Sequence, residues 1–81
     1  MDYMIHPDIP TAEQIAQHYS AAMDSVNLIN LYLATPPARL SADEVTDAIR
    51  RNVAHLRIMV AKNFWTTEDL TPFRDAIEAG K

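Results

Sequence analysis

The chain has no cysteine and a single glycine, Gly80, among its 81 residues. Without cysteine there is no disulfide, no thiolate nucleophile and no cysteine-bound zinc. The compartment stays open, because a cysteine-free chain suits a reducing cytoplasm and a virion or secreted particle equally. A chain with one glycine near its end cannot crowd backbone N–H groups around a phosphate, so nucleotide-loop chemistry is excluded. The glycine-flanked nucleophile elbow is missing for the same reason. Long apolar runs are missing too: none approaches the roughly 20 residues of a membrane span, and the opening Met-Asp-Tyr-Met-Ile lacks the basic and apolar regions of a signal peptide. The chain is therefore read as soluble and not exported by the general secretory route. Basic charge is in short supply, with 7 Lys and Arg against 11 Asp and Glu for a net charge of -4. That balance disfavours a polyanion partner, since nucleic-acid affinity comes largely from cations on phosphates.

What is present is apolar. The composition is 48% hydrophobic and 22% charged, which is globular, because a disordered chain lacks the apolar groups that offset its ordering entropy. The length allows one domain, 1–81, and a domain of this size buries only roughly 60% of the surface its unfolded form exposes. A monomer would have a thin stability margin, and self-association would widen it.

Residues 1–10 carry Pro7 and Pro10, each biasing its predecessor toward extended geometry, so an extended arm is predicted. Tyr3, Met4, Ile5 and Ile9 make it too apolar for a free tail. Either it folds back on its own helices or it docks on a partner or sister subunit. The first helix, about 12–34, opens at Thr11, which with Gln14 three residues later forms a capping box. Ile15, Tyr19, Ala22, Val26, Ile29 and Leu33 then recur in alternating steps of four and three, a heptad seam. Met23, Leu28, Leu31 and Tyr32 widen the apolar stripe beyond what one neighbouring helix covers. Pro36 and Pro37 end the helix by Thr35.

The second helix, about 42–64, opens with another capping box, Ser41 with Glu44. Asp43, Glu44 and Asp47 stand in its first turns, where the helix dipole favours anions, and Arg57 and Lys62 stand toward the other end. Val45, Ile49, Val53, Leu56, Val60 and Phe64 form its predicted buried face, with Ala48 and Met59 alongside. Asp47 and Arg51 make an i,i+4 pair in the favourable order. A third, short helix, about 67–79, has two readings at its start. Thr66 with Asp69 offers an N-terminus, and Thr71 followed by Pro72 offers a later one. Leu70, Phe73 and Ile77 recur at helical spacing in both, and Gly80 stands where a left-handed C-cap is expected.

No constellation carries catalysis. His6, His18 and His55 are scattered, and neither His18 nor His55 has an acid or histidine at i,i+4 to complete a metal pair. The acid pairs Asp43/Asp47, Glu68/Asp69 and Asp75/Glu78 are explained by helix N-termini and solvated faces, without the apolar cleft that hydrolytic carboxylates need. Ser20, Ser25 and Ser41 have no motif around them. Arg50, Arg51, His55, Arg57 and Lys62 make helix 2 locally resemble a recognition helix, but interleaved acids and the acidic total count against it. No cofactor, metal or catalytic residue is expected. Trp65 beside Phe64 is the most function-like feature, because Trp dominates interface hot spots; a core plug where helices 2 and 3 meet is the competing and favoured explanation.

The segment NVAHLRIMVAKNFWTTEDLTPFRDAIEAGK, residues 52–81, resembles the C-terminal part of small uncharacterised proteins from phage and prophage structural-gene regions. The features that carry it are Phe64-Trp65-Thr66-Thr67-Glu68-Asp69-Leu70, the terminal Ala76-Ile77, and Ala79-Gly80. The resemblance covers little more than a third of the chain and brings no functional residues with it. It implies a virion component or an assembly factor.

The expectation is thus an all-α protein: an antiparallel two-helix hairpin with a short C-terminal helix and an extended N-terminal arm. It is expected to be a non-catalytic protein-protein interaction module, homo-oligomeric or docked on a larger assembly, as a structural or adaptor component of a phage-like particle. The alternative is a small acidic regulator or inhibitor that binds a host protein, and a nucleic-acid-binding role ranks lower. Candidate contact residues are Tyr3 and Ile5 on the arm, Met23, Leu28, Leu31 and Tyr32 on helix 1, and Trp65.

Overall fold

A computed structural model describes residues 10–81. Among them are three helices and no strand: α1 is Ala12–Ala34, α2 is Ala42–Val60 and α3 is Thr71–Ala79. The all-α class is therefore as expected. The arm, with Tyr3 and Ile5, lies outside the described residues except for Pro10.

Both long helices begin where local chemistry starts them. Thr11 Oγ1 accepts from the Gln14 N–H at 3.1 Å while the Thr11 N–H donates to Gln14 Oε1 at 2.9 Å. Ser41 and Glu44 repeat the exchange at 3.1 and 2.7 Å. Each box satisfies N–H groups that the first helical turn leaves without intrahelical partners, a contribution of about 1 kcal/mol per cap. The Asp47–Arg51 pair forms at 3.1 Å, but both side chains are largely exposed. Such a pair contributes little beyond a few tenths of a kcal/mol.

Cross-helix contacts fix the topology. His18 stacks on Phe64, and Ser25 meets Asn52 and His55, so α1 and α2 run antiparallel. Tyr19 packs on Phe73, and Gly80 rests on Val53 and Ile49, so α3 runs back along α2 and parallel to α1. The core lies where the three meet, with Ile29, Leu56 and Phe73 fully enclosed. Burying each of those side chains stabilises the fold by roughly 1.5–3 kcal/mol. Ala22 and Val26 of α1, Ile49, Val53 and Met59 of α2, and Ala76 and Ile77 of α3 complete it.

Four expectations need correction. Helix 2 stops at Val60, not residue 64. The Met59 carbonyl accepts from the Lys62 N–H at 3.1 Å and from the Trp65 indole N–H at 2.8 Å. These bonds tighten the last turn and cap it, and Phe64 reaches the core edge from the following loop, not from the helix face. Helix 3 begins at Thr71, not 67. Pro72 has no N–H and its ring excludes a preceding helical turn, so it occupies an early position where that N–H would be unused. Gly80 has φ −90°, not a left-handed conformation. Its requirement is space against Val53 and Ile49, not backbone hand. Leu33, the last residue of the predicted seam, is 49% exposed, because α3 ends before reaching it.

Candidate functional site

The third helix is too short to cover the hairpin it packs on. Nine residues of α3 span about 14 Å, against about 28 Å for the 19 residues of α2. It ends at Gly80, opposite Ile49 and Val53, and leaves the loop end of the hairpin uncovered on that side. The result is a groove of about 600 Å³ floored by Leu33, Ile49, Val53 and Gly80. It continues past Leu33, Thr46 and Ile49 into a second concavity of about 540 Å³ against Pro36, Pro37 and Leu40.

Arg50 and Arg57 rim the first part, with Lys81 beside them paired to Glu78 at 2.9 Å, and no Asp or Glu lines it. The spacing explains the rim: Arg50, Ala54 and Arg57 follow in steps of four and three, so they share one side of α2, with the small Ala54 between the two guanidinium stems. Asp47 and Glu78, the nearest acids in sequence, are engaged with Arg51 and Lys81. Among the described residues, neither Arg50 nor Arg57 is held in an ion pair with a carboxylate.

The predicted contact residues separate into different settings. Leu31 is 57% exposed. Leu28 is half-buried, and Met23 and Tyr32 are half-buried against the core. Tyr32 also lines the second concavity. Trp65 is half-buried at the corner between α2 and α3, within an aromatic cluster with Tyr19, Phe64 and Phe73. Its N–H is committed to Met59, and the Tyr19 hydroxyl beside it donates to the Asp69 carbonyl at 2.8 Å. These residues do not gather into one surface. Sequence reasoning passed over Thr46, Arg50, Ala54 and Gly80 as a set; the Arg50–Ala54–Arg57 spacing was the available signal.

It also missed a polar cluster inside the hairpin. Ser25, only 5% exposed, has its Oγ 2.8 Å from Asn52 Oδ1 and 2.9 Å from His55 Nδ1. A serine beside a histidine invites comparison with a nucleophile and its base, but the hydrogens run the other way. Asn52 Nδ2 donates to the Ala48 carbonyl at 2.7 Å, and reversing the amide would set two oxygens at that distance. Oδ1 therefore faces Ser25 and accepts the hydroxyl proton. The Ser25 oxygen is left to accept from His55, whose Nδ1 must carry a hydrogen. This histidine donates to the serine and does not draw its proton away, so the cluster is a satisfied, partly buried network joining α1 to α2.

In the loop before α3, Glu68 Oε1 accepts from the Thr66 N–H at 2.8 Å and Asp69 Oδ1 from the Thr71 N–H at 3.0 Å. These backbone bonds lower both carboxyl pKa values, with the Thr66 N–H the largest cause for Glu68 and the Thr71 N–H for Asp69. Glu68 is half-buried and Asp69 exposed, and both are explained by holding the loop. No group of three metal-ligating side chains occurs among the described residues, and no helix among them is long and apolar enough to cross a membrane. No protein-family model matches the chain, and neither a curated protein nor a solved structure matches it.

Proposed function

We propose that this protein acts by contact with another protein and not by catalysis, as a structural or adaptor component of a phage-like particle. The observation that supports contact is the groove left open where α3 stops short, with an apolar floor continuous with the core. Uncovered apolar concavities beside a small core suit a partner's side chains better than water. The resemblance of residues 52–81 to proteins from phage structural-gene regions supports the particle setting.

Purified particles and soluble fractions from the native source test both halves. A fixed copy number per particle is expected, with retention lost when Thr46→Trp and Ala54→Trp together fill the exposed groove wall. Retention unchanged by the filled groove would overturn the groove as the contact surface. A soluble complex with a host protein and no particle association would instead favour a small acidic regulator.

A further inference from the structure

The groove combines two features that constrain its occupant. Its floor is apolar and runs beside helix α2 from Thr46 to Arg57, a length of about 17 Å, or about three helical turns. Its rim is cationic although the chain as a whole carries a net charge of -4. Arg50 and Arg57 stand beside the open apolar floor, seven residues apart on one side of α2. None of the described residues fills the groove beyond Gly80, so a helix entering there would complete a three-helix layer against α1 and α2.

We infer that the groove takes an amphipathic helix of a partner protein, about three turns long, apolar on the side facing Leu33, Ile49 and Val53 and acidic along its flanks. Its carboxylates meet Arg50 and Arg57, and its apolar residues cover Leu33, Ile49 and Val53. A basic helix would meet the same two guanidinium groups at a like-charge cost, so the rim selects against it. Leu33 stands on α1 and Thr46 to Arg57 on α2, so helix geometry sets the spacing of the charges along the apolar floor. This inference rests on the proposed contact function and adds the chemistry of the partner.

Fluorescein-labelled helical peptides of about 11 residues, with leucines on one face, test it by anisotropy. One peptide carries Glu on the flanks, a second Gln and a third Lys. The Glu peptide is expected to bind about tenfold more tightly than the Gln peptide, and to weaken as salt rises from about 50 to about 300 mM. The double substitution Arg50→Glu with Arg57→Glu, both at exposed positions and so compatible with an unchanged helical spectrum, is expected to reverse the order of the Glu and Lys peptides. Equal binding of the three peptides, or binding of none, overturns the inference. So does sedimentation showing a dimer that the double substitution dissolves, which would make the occupant a second copy. Duplex DNA binding more tightly than the Glu peptide, and lost in the same variant, would overturn it in favour of a nucleic acid. The two readings fail separately: loss of native retention in the Thr46→Trp, Ala54→Trp variant without Glu-peptide preference keeps the contact function and rejects the acidic helix.

Discussion

Gly80 sits so close to Val53 that a β-carbon on residue 80 would stand 2.6 Å from Val53 Cγ2, with Ile49 Cγ2 at 3.1 Å. Both neighbours are buried β-branched side chains with few rotamers to retreat into. The lone glycine therefore sets how closely the end of α3 approaches α2, and with it the inner end of the groove.

Gly80→Ala is expected to destabilise the fold by about 1–3 kcal/mol through overpacking, offset in part by the roughly 0.4–1 kcal/mol that alanine contributes by restricting the unfolded chain. A urea titration followed by helical circular dichroism reads the loss as a lower midpoint at unchanged slope. Adding Val53→Ala removes the opposing methyl groups, so the double variant should lose less than the two single losses combined. A stabilised Gly80→Ala would show that the close approach constrains nothing.

Ser25→Ala would leave Asn52 Oδ1 without its donor and the His55 N–H without its acceptor inside the hairpin, at a cost of about 1–3 kcal/mol. The direction of these bonds has two further readouts. Nitrogen chemical shifts of His55 should show a hydrogen on Nδ1, and a fluorophosphonate should leave Ser25 unlabelled. Labelling of Ser25 would refute the assigned direction.

The starts of α1 and α2 were legible because they are local. Thr11 with Gln14 and Ser41 with Glu44 state their pairing within four residues, and Pro36-Pro37 states the break between α1 and α2. The helix 2 terminus was not legible, because the periodicity from Val60 continues through Phe64 and the chain leaves it only when Trp65 turns back to the Met59 carbonyl. Ser25, Asn52 and His55 were invisible as a cluster, since their separations of 27 and 30 residues have no meaning until α1 and α2 are set in register. The groove is illegible for a related reason: it is defined by where α3 ends along α2, which depends on Pro72 at one end and on packing at Gly80 at the other.

The loop before α3 should be acid-sensitive. Glu68 and Asp69 have folded pKa values below their ordinary 4.5 and 3.8. Their contribution is therefore fully present above the unfolded values and is lost as pH falls through the folded ones. Urea midpoints measured from pH 6 downward should fall once pH drops below about 4.5, and the Glu68→Gln, Asp69→Asn double variant should show a shallower fall. Identical acid profiles would mean that these backbone bonds do not persist in solution.

Trp65 is the clearest place to separate packing from capping. Trp65→Phe keeps an aromatic ring near Tyr19, Phe64 and Phe73 but deletes the N–H that closes the Met59 carbonyl. The expected cost is about 1–3 kcal/mol, from the lost indole hydrogen bond and the smaller ring, while the Met59 carbonyl keeps the Lys62 N–H. Capping predicts where the loss appears: amide exchange should quicken at Ala61 and Lys62, whose N–H groups bond to the Arg57 and Met59 carbonyls in the same turn. Tyr19→Phe, which deletes the bond to the Asp69 carbonyl, should cost less, about 0.5–1.5 kcal/mol, and loosen the loop instead of the helix end. With ring centroids 6.0 Å apart, the two substitutions should not be additive. Strict additivity, or exchange that quickens uniformly across all three helices, would make Trp65 a packing residue only, and the early end of α2 would then need another cause.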